Sequence, residues 1–281
     1  MSVKIVQDNY GKSRVRLIKV ARDAARHEFQ NLTVNIALEG DFDAIHIDGD
    51  NTACLPTDTM KNTVYALAGQ TREIEEIEAF GQRLTAHFLT NNAQVSRVII
   101  DIFEHAWKRM KFDGEEHTHS FVKGSGETRT AKITASRETV TVESGVEDLI
   151  VLKTTGSGFA GFIKDAFTTL PETTDRIFST AIKATWRYGN PNAATDKVFQ
   201  AIRQTILKVF ADHESLSVQH TLYAIGEVIL SDFAEIEEIA FSLPNIHCLP
   251  VDISKFGFEN DNRIFVPTDE PHGLIEASLT R

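Results

Sequence analysis

Only two cysteines, Cys54 and Cys248, occur in the 281-residue chain. They are too few for a disulfide framework and fit a reducing compartment. Long apolar runs are missing as well, and nothing approaches the roughly 20 residues that a membrane span needs. Basic residues are in deficit, with 29 Lys and Arg against 40 Asp and Glu and a formal net charge of -11. That balance argues against nucleic acid or an anionic membrane as the main partner, since both require clustered cations. Met1, Ser2, Val3 and Lys4 offer no apolar leader segment, and the chain ends Leu279, Thr280, Arg281 rather than Ser-Lys-Leu. A cytoplasmic protein is therefore expected, rather than a secreted or peroxisomal one. Apolar residues are not scarce: at 42% of the chain they suffice for the core of two modest domains or one large one.

Periodicity organises the chain into two similar halves. Asn9, Tyr10 and Gly11 read as a turn feeding a strand over 13–21. In that strand Val15 and Leu17 face one way and Arg14 and Arg16 the other, with Lys12 set between glycine and strand. Leu32, Val34, Ile36 and Leu38 then share one strand face. An irregular Asp- and Gly-rich stretch (41–56) precedes a short helix over 57–69, closed by Gly69, and a longer one over 71–89. The stripe of the longer helix is Ile74, Ile77, Phe80, Leu84 and Phe88. Strands follow at 97–103, 131–136, 139–144 and 148–154. The second half repeats the order: a strand over 176–188, a helix with the stripe Val198, Ile202, Ile206 and Val209, and a helix with Val218, Leu222, Ile225 and Ile229. Strands return at 236–243 and 248–254. The class is α+β, with mainly antiparallel sheets and helices on one face, in tandem domains over 1–140 and 141–281. Sheets of this kind leave edges to be closed, covered or paired, so oligomerisation is expected.

Two motifs point elsewhere and fail on context. Gly156, Gly158 and Gly161 have the G-x-G-x-x-G spacing after a strand, and Phe159, Phe162, Ile163 and Phe167 follow at helical spacing. A dinucleotide site also needs an acid at the end of the next strand, but Asp175 precedes that strand and Pro171 interrupts the approach. The stretch reads as a glycine-rich loop, with a nicotinamide-dependent oxidoreductase as the minor alternative. His117 and His119 would share a strand face, as metal ligands can, yet no further ligand lies at supportive spacing. No catalytic metal is expected.

Seven short blocks remain, far apart: "NYGK" (9–12), "PTDTMKNTVYAL" (56–67), "GSGFAGF" (156–162), "TTDRIFSTAIKATWRY" (173–188), "SVQHTLY" (217–223), "SLPNIH" (242–247) and "HGLIEASL" (272–279). In this order they resemble the urate oxidase (uricase) family over essentially the whole chain. The resemblance implies two tunnelling-fold domains, each an antiparallel sheet with two helices on one face, assembling as a homotetramer whose sheets close into barrels. It implies active sites at subunit interfaces and oxidation of urate by dioxygen and water to 5-hydroxyisourate and hydrogen peroxide, the first step of urate degradation to allantoin. No cofactor is implied.

Residue by residue, the resemblance puts the catalytic group on Lys12, Thr57 and His247. Lysine gives up its proton readily on burial and can accept one through a threonine hydroxyl, which alone is a poor base. His247 would orient the relay or a water on the dioxygen side. Substrate binding falls to Thr57, Asp58, Phe159, Arg176, Val218, Gln219 and Asn245. Phe159 would stack on the purine, Arg176 and Gln219 would bond its two edges, and Asp58 and Val218 would contribute backbone groups. Thr57 and Asp58 are implied to come from a neighbouring subunit, which separates them by chain from Lys12. Singly, these residues read as a strand-end lysine, a helix cap, a core ring, a surface ion pair and a loop histidine. Their joint occurrence in family order sets those readings aside. A cyclohydrolase-type tunnelling-fold enzyme acting on a purine or pterin is the alternative, and a silent purine binder is a third reading. "SLPNIHCL" departs from the family at Ile246 and Cys248, which leaves packing beside the site open.

Overall fold

Strand β2 (Glu28–Gly40) shows how the core is built. Leu32, Val34, Ile36 and Leu38 are all buried on one face, as the alternation predicts. The computed structural model describes residues 3–268 and 270–281; Met1 and Ser2, on which part of the expectation about a leader segment falls, and Asp269 lie outside the described residues. The chain divides into two units, Met1–Gly145 with Arg187–Phe199, and Val146–Trp186 with Gln200–Arg281.

In the first unit β1 (Tyr10–Ala21), β2, β3 (Val95–Phe112) and β4 (Glu115–Ser136) are neighbours in that order, all antiparallel. Register puts Val34 opposite Ile102, Ile36 opposite Ile100, Ile100 opposite Ile133 and Ile102 opposite Ala131. These side chains form one apolar face, covered by α2 (Thr57–Gly69) and α3 (Ile77–Asn91) through Met60, Val64, Leu67, Phe80, Leu84 and Phe88. A short helix α1 (Asp43–Ile47) lies in the stretch read as irregular. The hairpin joining β3 to β4 turns on Asp113 (φ 52°) and Gly114 (φ 86°), the Asp-Gly pair whose positive φ values match strand twist. It extends both strands well beyond the segments expected at 97–103 and 131–136.

α3 begins six residues later than predicted. Gln30 Nε2 donates to the Glu75 carbonyl (3.2 Å) and Lys19 Nζ donates to Thr71 Oγ1, so 71–76 is held outside the helix by side chains from β1 and β2. Strand β5 (Val140–Lys153) is one strand where two were expected, passing through Asp148 at φ 56°.

The second unit takes the later part of β5, β6 (Phe178–Tyr188) up to Trp186, α4 (Asp196–Asp212) from Gln200, α5 (Val218–Asp232), β7 (Ile236–Pro250), β8 (Phe265–Thr268) and β9 (Leu274–Thr280). β7 pairs antiparallel with β8 at its end and with β9 along 238–244. The α5 stripe is buried as predicted. On α4 the buried stripe is Phe199, Ile202, Ile206 and Phe210, one step round from Val198 and Val209. Rings bury more apolar area than valines, so the helix turns its phenylalanines inward. Among the described residues no helix is long and apolar enough to cross a membrane.

The repeat is written in an arginine at each helix end. Arg137 donates to the carbonyls of Leu89 (3.3 Å), Asn92 (3.2 Å) and Ala93 (3.1 Å) at the end of α3. Arg281 donates to those of Leu230 (2.9 Å), Phe233 (2.6 Å) and Ala234 (3.2 Å) at the end of α5. Each guanidinium satisfies orphan carbonyls and faces the negative helix end. Arg137→Ala should lower stability by about 2 kcal/mol, with Lys rescuing only part because one ammonium cannot span three carbonyls. Thermal melting of the assembled protein reads this out, and an unchanged midpoint would refute it.

Candidate active site

A β-bulge presents Lys12. Lys12 pairs with Ile36 and Val15 with Val34, so β1 spends three steps where β2 spends two. Residues directly opposite in a ladder share a face, so Lys12 and Val15 both lie on the helix-bearing side, which plain alternation would forbid. The extra residue is absorbed at Arg14, whose φ is 58° and whose amide donates to Asn35 Oδ1 (2.7 Å). Gly11 is demanded by close approach, since a Cβ there would stand 1.8 Å from the Ile36 carbonyl oxygen. The expected turn at 9–11 is thus already strand from Tyr10 onward.

Beside this strand α2 begins at Thr57, after Pro56 at φ -57° and ψ 137°. Thr57 is half-buried and Asp58 exposed. Lys61 and Asn62 (3.0 Å) both bond the Asp58 carboxylate. Its pKa lies below the ordinary carboxylate value, first through the Lys61 hydrogen bond and charge and, more weakly, through the charge of Lys12. Lys12, Thr57 and Asp58 are therefore carried by one unit of one chain. Within the chain the charge of Lys12 thus reaches Asp58, at the start of the helix that Thr57 opens.

The other six predicted residues belong to the second unit. The glycine-rich stretch is a loop, as read, and Phe159, Phe162, Ile163 and Phe167 do not share a helix. Phe159 and Thr173 exchange backbone bonds (2.8 and 3.0 Å), and Arg176 N donates to Ser157 O (2.8 Å). Gly158 fits where a Cβ would meet the Thr173 carbonyl oxygen at 3.1 Å. The loop is also tied to the segment before α5, with Gly158 N donating to Ser215 O (2.8 Å) and Ser215 N to Gly156 O (2.9 Å). Buried Ser215 bonds Thr221 on α5 through its hydroxyl. Sequence reading passed over this serine, which lies two residues before the block that carries Val218 and Gln219.

The result is a guanidinium against a ring. Arg176 stands 5.5 Å from the Phe159 ring centroid, and Phe162 stacks on Phe159 at 4.8 Å and 14°. Arg176 Nε is buried and has no hydrogen-bond partner among the described residues, and burial holds the arginine below its ordinary pKa. A cation left short of acceptors suits an anion or carbonyl arriving from outside. Val218 and Gln219 open α5, whose first amides have no partner within the helix. Ser217 caps it, with its Oγ accepting from His220 N (3.0 Å). Asn245 and His247 are two apart on β7 and share a face; Asn245 N donates to Gly273 O (2.8 Å), and His247 lies opposite Thr268. His117 and His119 meet at 4.6 Å on the β3–β4 hairpin, with His27 at 5.9 Å from His119. Among the described residues no three His, Cys, Asp or Glu side chains converge to hold a metal ion.

An antiparallel sheet carrying two helices, present twice in one chain, is a tunnelling fold. A family model described as Uricase matches residues 8–134 and 142–276. The chain belongs to the uricase family. It is 42% identical to a uricase of Arthrobacter globiformis over 99% of this chain and 90% of that protein. It is 37% identical to a uricase of Dictyostelium discoideum over 99% and 97%. The crystal structure of the Arthrobacter globiformis uricase superposes with a TM-score of 0.95, at 42% identity, over all of this chain and 96% of that one.

Proposed function

We infer that this protein is a urate oxidase: urate, dioxygen and water give 5-hydroxyisourate and hydrogen peroxide. Membership of the uricase family along nearly the whole chain supports the reaction. The observation that carries the ligand is the half-buried Arg176 guanidinium, short of acceptors and lying over Phe159. Urate is a flat anion; Phe159 stacks on it, Arg176 bonds one edge, and Gln219 bonds the other with the Val218 amide beside it. Thr57 takes a proton from bound urate and passes it to Lys12, leaving a more electron-rich dianion that reduces dioxygen directly. Asn245 and His247 hold the dioxygen or water on the opposite side.

Assembly as a homotetramer, with Thr57 and Asp58 completing the site of another subunit, belongs to the same proposal. Ile163 (96% exposed) and Phe167 (89% exposed) sit on the loop beyond Phe159 and call for a cover that one chain does not give them. The tandem domains are taken as 1–140 and 141–281, in keeping with the two matched segments. The reaction needs no cofactor, and the protein is assigned to the cytoplasm, where its two free cysteines are at home. Loss of the urate ultraviolet band with matched dioxygen uptake, using chelator-treated protein, tests the reading. Activity on a pterin restored only by metal would overturn it.

Arg176→Ala and Gln219→Ala should each weaken binding of xanthine, the urate analogue lacking the 8-oxygen, by about 1.5–3 kcal/mol for a charged bond and less for the amide. Calorimetry on assembled protein measures this. Wild-type affinity in Arg176→Ala would remove Arg176 from the site.

A further inference from the structure

We propose that Tyr10 is a positioning residue for the proton relay, fixing Thr57 relative to Lys12 through one hydrogen bond to the backbone that leads into α2. The inference rests on the urate-oxidase reading for its kinetic consequence, but not for its geometry. Leu55 N donates to Tyr10 Oη at 2.9 Å. Pro56 has no N–H, so the Leu55 amide is the last backbone donor before Thr57, and the phenol holds it. The Pro56 carbonyl, next in line, accepts the first bond of the helix from Met60 N (3.2 Å). Tethering Leu55 therefore sets where α2 begins.

The other end of the tether is equally fixed. Tyr10 pairs with Leu38, two residues along β1 from the Lys12–Ile36 pair, so Tyr10 and Lys12 stand on one face about 7 Å apart. The Tyr10 ring meets buried Phe42 edge-on, with centroids 4.7 Å apart at 81°. Ring packing and strand register thus lock the hydroxyl in place, and the strand that carries the proton acceptor also carries the anchor for its partner. Burial raises the Tyr10 pKa, against the opposing pull of the Leu55 amide, so the phenol stays a neutral acceptor through the working range. A relay tolerates little error in separation, and a displacement of about 1 Å can cost on the order of 100-fold in rate.

Tyr10→Phe keeps the ring and removes only the oxygen. Its kcat on urate should fall on the order of 10–100-fold, while xanthine affinity, set by Phe159 and Arg176, stays within about twofold. In the Thr57→Val background the same substitution should change kcat by less than about twofold, because Tyr10 acts only through Thr57. An equal loss in both backgrounds, or unchanged kcat in the single variant, overturns the proposal. Amide hydrogen exchange gives a readout without turnover: Leu55 should be protected in the unaltered protein and lose that protection in Tyr10→Phe. A fast-exchanging Leu55 amide in the unaltered protein would refute the tether itself. Absence of urate turnover in the unaltered protein would instead refute the function, leaving the exchange result to decide the geometry.

Discussion

Lys12→Met should fold, assemble and bind xanthine close to normally, yet its turnover of urate should fall about 10²–10⁴-fold, the usual worth of a general base. Methionine nearly matches the lysine stem and fills the same space beside the bulge, so packing on the helix side is kept. It cannot accept a proton. Thr57→Val should show a comparable fall, since valine keeps the branched shape at the first position of α2 and removes the hydroxyl. The double variant should lose little more than either single one, because groups that act as one unit are not additive. Stopped-flow absorbance with urate gives kcat, and xanthine titration gives affinity. A Lys12→Met enzyme with near-normal kcat would reduce Lys12 to a strand-end charge, and the bulge that turns it inward would then have no catalytic purpose.

That bulge marks the limit of what the sequence reveals. The apolar face of β2, the bounds of α2 and the stripe of α5 are legible because period and cap residues are local properties. Lys12 is different. Alternation puts it on the opposite face from Val15, and only the pairing with Ile36 and Val34 shows that both face the helices. The late start of α3 is invisible for the same reason, since a glutamine from β2 takes the Glu75 carbonyl across a separation of 45 residues. The α4 stripe was ambiguous by one position, because Val198 and Phe199 both offer an apolar face, and the larger ring won. The hairpin at Asp113 and Gly114 was legible and passed over; Asp-Gly between strand-like segments is a local signal.

The candidate site was read in a different way again. Its residues are ordinary one by one, and they were named through the order of seven blocks, not through their chemistry. The structure adds contacts that the order of blocks does not reveal, one made inside the first block and one outside all of them. Tyr10 and Ser215 hydrogen-bond the segments on which Thr57 and Gln219 stand, and neither carries a type of side chain that would single it out. Arg137 and Arg281 are missed because a C-terminal capping arginine can come from any later strand, and only the fold brings it to the helix end.

Subunit mixing gives the second large effect, and its pairing follows from which unit holds each residue. Lys12 and Thr57 belong to the first unit, Arg176 and Gln219 to the second. If each site joins the first unit of one subunit to the second unit of another, Thr57→Val and Arg176→Ala chains damage opposite halves. Coexpressed at equal levels, they should form tetramers in which about a quarter of the sites are intact by random pairing, raising turnover at low urate well above the residual level of either homotetramer. Lys12→Met coexpressed with Thr57→Val should recover nothing, because both substitutions damage the same half and every site inherits one of them. Recovery is read as urate turnover per tetramer after tandem affinity isolation of mixed species. Silence of the Thr57→Val and Arg176→Ala mixture, in verified mixed tetramers, would mean that each site is built within a single chain. Recovery from the Lys12→Met and Thr57→Val mixture would mean that the lysine and threonine of one relay come from different chains, and would break the link between the bulge and the start of α2 on which the mechanism depends.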